Sequence, residues 1–183
     1  AEAERAIQEY LTNGSGDTEL LNRVIHSLSS STYDTDWKQQ TAELCALALH
    51  AFKRIADNVP TNGFTPFIGE DSPEKMPISG VAVSVRPEIL LRDTSDGNKI
   101  VGGLKIYLGK NTPLTDEAAN FVSSVLYRYL AEVLSTDAAV NYKNCFVLDV
   151  FAGKIFTAPK TYKRNMDHVA AACMEIETLW AAL

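Results

Sequence analysis

The chain alternates between stretches whose apolar residues recur every three or four positions and stretches in which they alternate one by one, and this order predicts an α/β protein. Helical patterns come first. Ile7 and Leu11 lie four apart among Glu, Arg and Gln, which predicts a short helix from Glu2 to Leu11, stopped by Asn13-Gly14. Leu20, Leu21, Val24, Ile25 and Leu28 share one face of a second helix. Asp17 is its expected N-cap, because a carboxylate accepts from the unpaired first-turn amides. The run Ser29 to Thr32 reads as a linker, so residues 1–33 are expected to form an N-terminal helical extension to a single domain spanning 34–183.

That domain opens with the most regular helix, Trp37 to Asn58, in which Trp37, Thr41, Leu44, Ala48, Ala51, Phe52 and Ile55 make one apolar stripe. Four of the seven prolines then fall between Pro60 and Pro77, a connection without periodicity of the kind that is either a functional flap or partly disordered. Beyond Ile78 the pattern turns to β-branched alternation. Val81, Val83 and Val85 face one way and Ala82, Ser84, Arg86 and Glu88 the other, with Pro87 interrupting the amide ladder. Asp93 to Asn98 contains Asp-Gly and reads as a hairpin turn. Lys99 to Leu108 follows as a strand with Gly103, Lys105 and Tyr107 on one face and Gly102, Leu104, Ile106 and Leu108 on the other. Thr115 caps an amphipathic helix running to Val133, which crosses over to a strand from Phe146 to Val150, expected to lie parallel to an earlier one. A short strand, Ile155 to Ala158, and a last helix, Tyr162 to Leu183, complete the order, the latter with Met166, Val169, Ala170, Cys173, Ile176, Leu179 and Trp180 as its buried face. The fold class is a small mixed β-sheet flanked by helices.

Composition narrows the partners. With 183 residues, 46% hydrophobic, one core is expected, and a net charge of -6 argues against a broad positive field for phosphates. A local patch is still allowed. Lys154, Lys160, Lys163 and Arg164 gather around the start of the last helix, either as a solvated helix start or as a contact for backbone phosphates. The aromatic residues are spaced as core, with no base-stacking platform. Cys45, Cys145 and Cys173 lack metal-ligand spacing and sit in apolar segments, as buried reduced thiols of a cytoplasmic protein do. No apolar run reaches the ~20 residues that span a bilayer, so no membrane partner is expected.

The candidate chemistry lies in the acid and lysine of the central hairpin, Pro87-Glu88 in RPEIL and Lys105 in GGLKIYL. With the element order helix, β-meander, crossover helix and strand, these residues resemble the PD-(D/E)XK nuclease superfamily over about Asp34 to Ala158. The resemblance implies a restriction-endonuclease-like αβββαβ core and metal-dependent hydrolysis of DNA or RNA phosphodiesters. Glu88 would bind Mg²⁺ or Mn²⁺, the Leu104 carbonyl could add a ligand, and Lys105 would be the catalytic lysine, with Arg86 and the basic group near the last helix on the substrate. Such a metal activates water and neutralises the charge developing at phosphorus. One position departs from the pattern. Gly103 stands where the family carries an acid, so an acid from elsewhere must complete the site, with Glu43 on the long helix the first candidate and Glu117 and Asp149 after it. If none does, the chain is an inactive descendant or an unrelated α/β module that works by protein binding or regulation. On that reading Glu88 and Lys105 are a cross-strand ion pair on a solvated sheet face, worth only ~0.2–1 kcal/mol.

Overall fold

The computed structural model describes residues 1–13, 16–95, 99–135 and 139–180. Five α-helices and two sheets are built from them, a mixed α/β arrangement as the patterning predicts. The main sheet has five strands in the spatial order β1 (Phe64–Ile68), β4 (Ile89–Asp93), β5 (Ile100–Tyr107), β6 (Cys145–Asp149) and β7 (Lys154–Thr157). β1, β4 and β5 form an antiparallel meander, β6 runs parallel to β5, and β7 returns antiparallel at the edge. The parallel step is made by α4 (Asp116–Tyr129), whose Thr115 side chain accepts from the Ala118 amide.

Two layers of apolar packing follow from strand alternation. Ile89, Leu91, Leu104, Ile106, Phe146 and Leu148 face α1 (Glu2–Thr12), α2 (Thr18–Ser30) and α3 (Asp36–Lys53). Leu90 and Cys145 face the other way, toward α4, α5 (Tyr162–Trp180) and the hairpin of β2 (Met76–Ile78) and β3 (Val81–Val83). Asp17 caps α2 as expected, accepting from Glu19 and Leu20. The first two helices do not stand apart from residues 34–183. Ile7, Tyr10, Leu11 and Leu21 are fully enclosed in the first layer, and the Tyr10 ring meets Phe52 of α3 edge-on at 5.4 Å.

Several expectations are corrected. The connection after α3 supplies β1, an edge strand of the main sheet, in addition to β2. Val81–Val83 is not the partner of β5; it pairs with Met76–Ile78 across Ser79 and Gly80, both at positive φ, and the residues after it are extended loop. Pro87 has no amide to give a ladder, so pairing with β5 begins only at Glu88, whose N–H donates to the Leu104 carbonyl at 3.0 Å. On α3 the buried face is Ala42, Cys45, Ala46, Ala48, Leu49, Ala51 and Phe52, while Trp37 is 72% exposed and Leu44 is exposed with it. α5 buries Met166 and Cys173 but leaves Ile176, Leu179 and Trp180 in solvent. Gly14, the Asp-Gly tip of the hairpin at 96–98 and the expected helix end at Leu183 lie outside the described residues. No helix among the described residues is long and apolar enough to cross a membrane.

β5 carries two adjacent glycines, and each is required by a neighbour on a different side. A Cβ on Gly102 would lie 2.2 Å from the Asn144 carbonyl oxygen, and one on Gly103 would lie 2.9 Å from Leu130 Cδ1 and 3.1 Å from the Ile89 carbonyl oxygen. Backbone cannot yield as a side-chain tip can. Gly102→Ala is therefore expected to cost upward of ~2 kcal/mol and Gly103→Ala about 1 kcal/mol, in the range of overpacked cores, read from the urea midpoints of the two variants.

Candidate functional site

The acid and lysine meet where β4 begins and β5 ends. Continuing the register Ile89 to Leu104 by one residue sets Glu88 opposite Lys105, and the alternation that sends Ile89 and Leu104 to the α1–α3 layer sends Glu88 and Lys105 to the α4 side. Glu88 is 1% exposed and its carboxylate is fully committed. Oε1 accepts from the Lys105 ammonium, with the Arg86 Nη2 at 3.6 Å; Oε2 accepts from the Ile106 amide at 2.7 Å. That amide needs a side-chain acceptor because the neighbouring chain leaves the ladder at Pro87. A buried N–H without a partner costs about 1–3 kcal/mol.

The main chain around Glu88 is held as closely. Its carbonyl accepts from Gly69 at 3.1 Å and from Gln8 Nε2 of α1 at 3.2 Å, and Lys105 Nζ also donates to the Arg86 carbonyl at 3.0 Å. Arg86 in turn binds Glu4 of α1 through Nη2 and approaches Asp71 at 3.7 Å through Nη1. The group is charge-matched: Glu88 and Glu4 against Lys105 and Arg86, with Asp71 92% exposed at the margin. Glu4 is the acid that sequence reasoning missed. Its helix read as an extension, and nothing in the local pattern of α1 points to a residue 82 positions away.

The other expected residues are not brought here. Glu43 is exposed on α3, across the sheet from Lys105, and accepts from Gln39 Nε2 at 2.8 Å, so it does not supply the acid that the resemblance expects where Gly103 stands. Asp149 is buried but accepts from the Leu114 and Ala152 amides at 2.8 and 3.1 Å, fixing the loops around β6. Glu117 lies in a polar cleft with Asn120, Arg164 and His168. Lys154 sits on β7 with its ammonium 5.9 Å from the Phe156 ring, and Lys160, Lys163 and Arg164 are exposed near the start of α5; none of the four touches the Glu88 group. Ser84 and Arg86 do share a cleft with Lys105, of about 290 Å³ and walled by Val83, Val85, Phe121, Val122, Val125 and Leu126, but they reach it from loop rather than from a strand face. The expectation of a common face by alternation is corrected accordingly.

Mg²⁺ or Mn²⁺ does not suit these residues. A hard divalent cation needs several oxygen ligands, and here one carboxylate has both oxygens bonded to N–H donors while two side-chain cations lie beside it. Among the described residues no group of three or more His, Cys, Asp and Glu is arranged to hold a metal. The three cysteines are free and buried, and burial pushes the Cys145 thiol up to about 12.

Two substitutions separate the pair's charge from its shape. Lys105→Ala strands the Glu88 carboxylate and is expected to lower stability by ~2–3 kcal/mol, less than the 3–5 kcal/mol of a wholly buried pair because Lys105 is 32% exposed. Adding Glu88→Gln removes the stranded charge, so the double variant should be more stable than Lys105→Ala alone in urea unfolding; equal or lower stability contradicts the assignment. Compared with protein-family models, with curated proteins and with solved structures, the chain has no match.

Proposed function

We propose that the chain is a restriction-endonuclease-like domain that does not cut phosphodiesters and acts by binding, its acid–lysine pair kept as a structural pin. The fold half of the reading is supported by the helix–meander–crossover–strand order and by the position of Pro87-Glu88 at the start of one central strand with Lys105 on the next. The functional half is carried by one observation. Both oxygens of Glu88 are already bonded, one to an ammonium and one to a backbone amide.

Hydrolysis of a phosphodiester asks for a group that activates water and another that takes up developing negative charge. Lys105 is tied to Glu88 and to the Arg86 carbonyl, and Arg86 to Glu4, so the cations that could serve the second purpose are neutralised. The acid that could serve the first is held as a hydrogen-bond acceptor. At Gly103 a side chain would run into Leu130, which is fully buried, and into backbone, so the position does not readily regain an acid.

Purified protein incubated with single- and double-stranded DNA and RNA in Mg²⁺ or Mn²⁺ is expected to leave them intact. Cleavage that disappears in Lys105→Met would sink the proposal; trace cleavage of equal rate in wild type and Lys105→Met belongs to a contaminant and agrees with it.

A further inference from the structure

A second polar site lies where α4, the turn before β6 and the start of α5 meet, on residues that the acid–lysine pair does not use. Three tyrosines converge there. The rings of Tyr127 and Tyr162 have centroids 4.5 Å apart, those of Tyr142 and Tyr162 5.7 Å, and those of Tyr127 and Tyr142 6.4 Å. Tyr127 and Tyr142 pack on the second apolar layer, whereas Tyr162 lies against their outer side without joining it. Tyr127 and Tyr162 wall a cleft of about 410 Å³ with Ala131 and Met166 as its apolar surface and Arg128, Lys163, Glu132 and Asp167 as its polar one. That volume is within the range of small-ligand sites.

The polar lining of the cleft holds two cations, Arg128 and Lys163, and two acids, Glu132 and Asp167. Arg128 is matched by Glu132 at 2.9 and 3.0 Å, but Lys163 has no acidic partner among the described residues, nor have Lys143, Lys160 and Arg164. From Val140 to Asp167 the chain holds five cations and two acids, Asp149, which is buried and bonded to amides, and Asp167, which lines the cleft, in a protein whose net charge is -6. At the cleft, α4 also gives way to a π-helical turn, Leu130–Leu134, an irregularity that recurs at functional sites. Burial and the neighbouring Tyr162 push the Tyr127 hydroxyl up to about 12, so it stays neutral over the physiological range.

Two tyrosine rings set edge-to-face at 65°, an apolar floor and a lysine without an acidic partner together suit a ligand that has a planar ring and a phosphate. We propose that this cleft binds a nucleoside phosphate, with the base against Tyr162 and Tyr127 and the phosphate at Lys163, extending toward Lys160 and Lys143. The unit comes from a free nucleotide or from a single strand, and the two sources differ in reach. A free nucleotide uses Lys163 alone, while a strand also engages Lys143 and Lys160. The proposal stands on other residues than the pin at Glu88, so the two can fail separately.

Titration calorimetry with 5′-AMP, 5′-UMP, adenosine, inorganic phosphate and a ten-nucleotide single strand tests it. A mononucleotide or the strand is expected to bind at least tenfold more tightly than adenosine or phosphate alone. Tyr162→Leu and Lys163→Gln, each checked for an unchanged melting temperature, should each weaken it about tenfold, as loss of one stacked base does. Strand binding that also weakens in Lys143→Gln and Lys160→Gln identifies the strand as the source, and equal affinity for strand and mononucleotide identifies the free nucleotide. Amide shifts on 5′-AMP or strand addition should centre on Tyr127 and Tyr162. No binding of any nucleotide or strand at millimolar concentration overturns the proposal, as does binding that both cleft variants leave unchanged.

Discussion

A carboxylate with 1% of its surface in water must be matched by donors, and the matching of Glu88 ties together parts of the chain that have no other reason to meet. One oxygen accepts from the Ile106 amide, beyond the last paired residue of the β4–β5 ladder; the other anchors Lys105. Through Arg86 the same charge reaches Glu4, and through its own carbonyl it reaches Gln8, so the first helix is fixed to the sheet by polar contacts as well as by Ile7, Tyr10 and Leu11. The loop bearing Gly69 is held to the same carbonyl. The arrangement resembles a catalytic constellation in its residue types and a keystone in its connectivity.

The glycine pair on β5 sets the geometry around this point. Gly102 lets the Asn144 backbone approach β5, immediately before β6 pairs with it in parallel, and Gly103 leaves the space that Leu130 fills at the start of the π-helical turn. An acid at Gly103 would need that space. Close packing and a larger side chain are alternatives at this position, and the chain has taken packing. Beside it Glu88 and Glu4 are matched by Lys105 and Arg86, so the group is neutral without a metal.

Much of this is legible in the sequence. The stripe of α4, the Thr115 and Asp17 caps, the alternation of β5 and the parallel crossover to β6 are local patterns with period 3.6 or 2, and they survive in the fold. The pairing of Glu88 with Lys105 was legible from hairpin order, although the strand that carries it starts later than the β-branched run suggests. Ser79-Gly80 between Met76–Ile78 and Val81–Val83 was a two-residue turn signal that could have revealed the separate hairpin. What was not legible depends on contacts between distant residues. The union of Glu4 with Arg86, the side of the sheet that α3 covers, which placed Glu43 out of reach, and the meeting of Tyr127, Tyr142 and Tyr162 all arise from tertiary packing. Exposed Trp37 and Trp180 mislead for a related reason: helical spacing reports an apolar face but not whether the chain supplies anything to cover it.

The central claim is that Glu88 is a bonded structural acid and not a metal ligand. Paramagnetic broadening tests it at the residue itself, by adding Mn²⁺ stepwise to uniformly ¹⁵N-labelled protein and following the amides of Glu88, Lys105 and Ile106. The account predicts that these three signals stay as sharp as those of amides elsewhere in the protein. Selective broadening of Ile106 and Lys105 at micromolar Mn²⁺ would contradict it, because a metal at the carboxylate would have displaced the donors that now hold it.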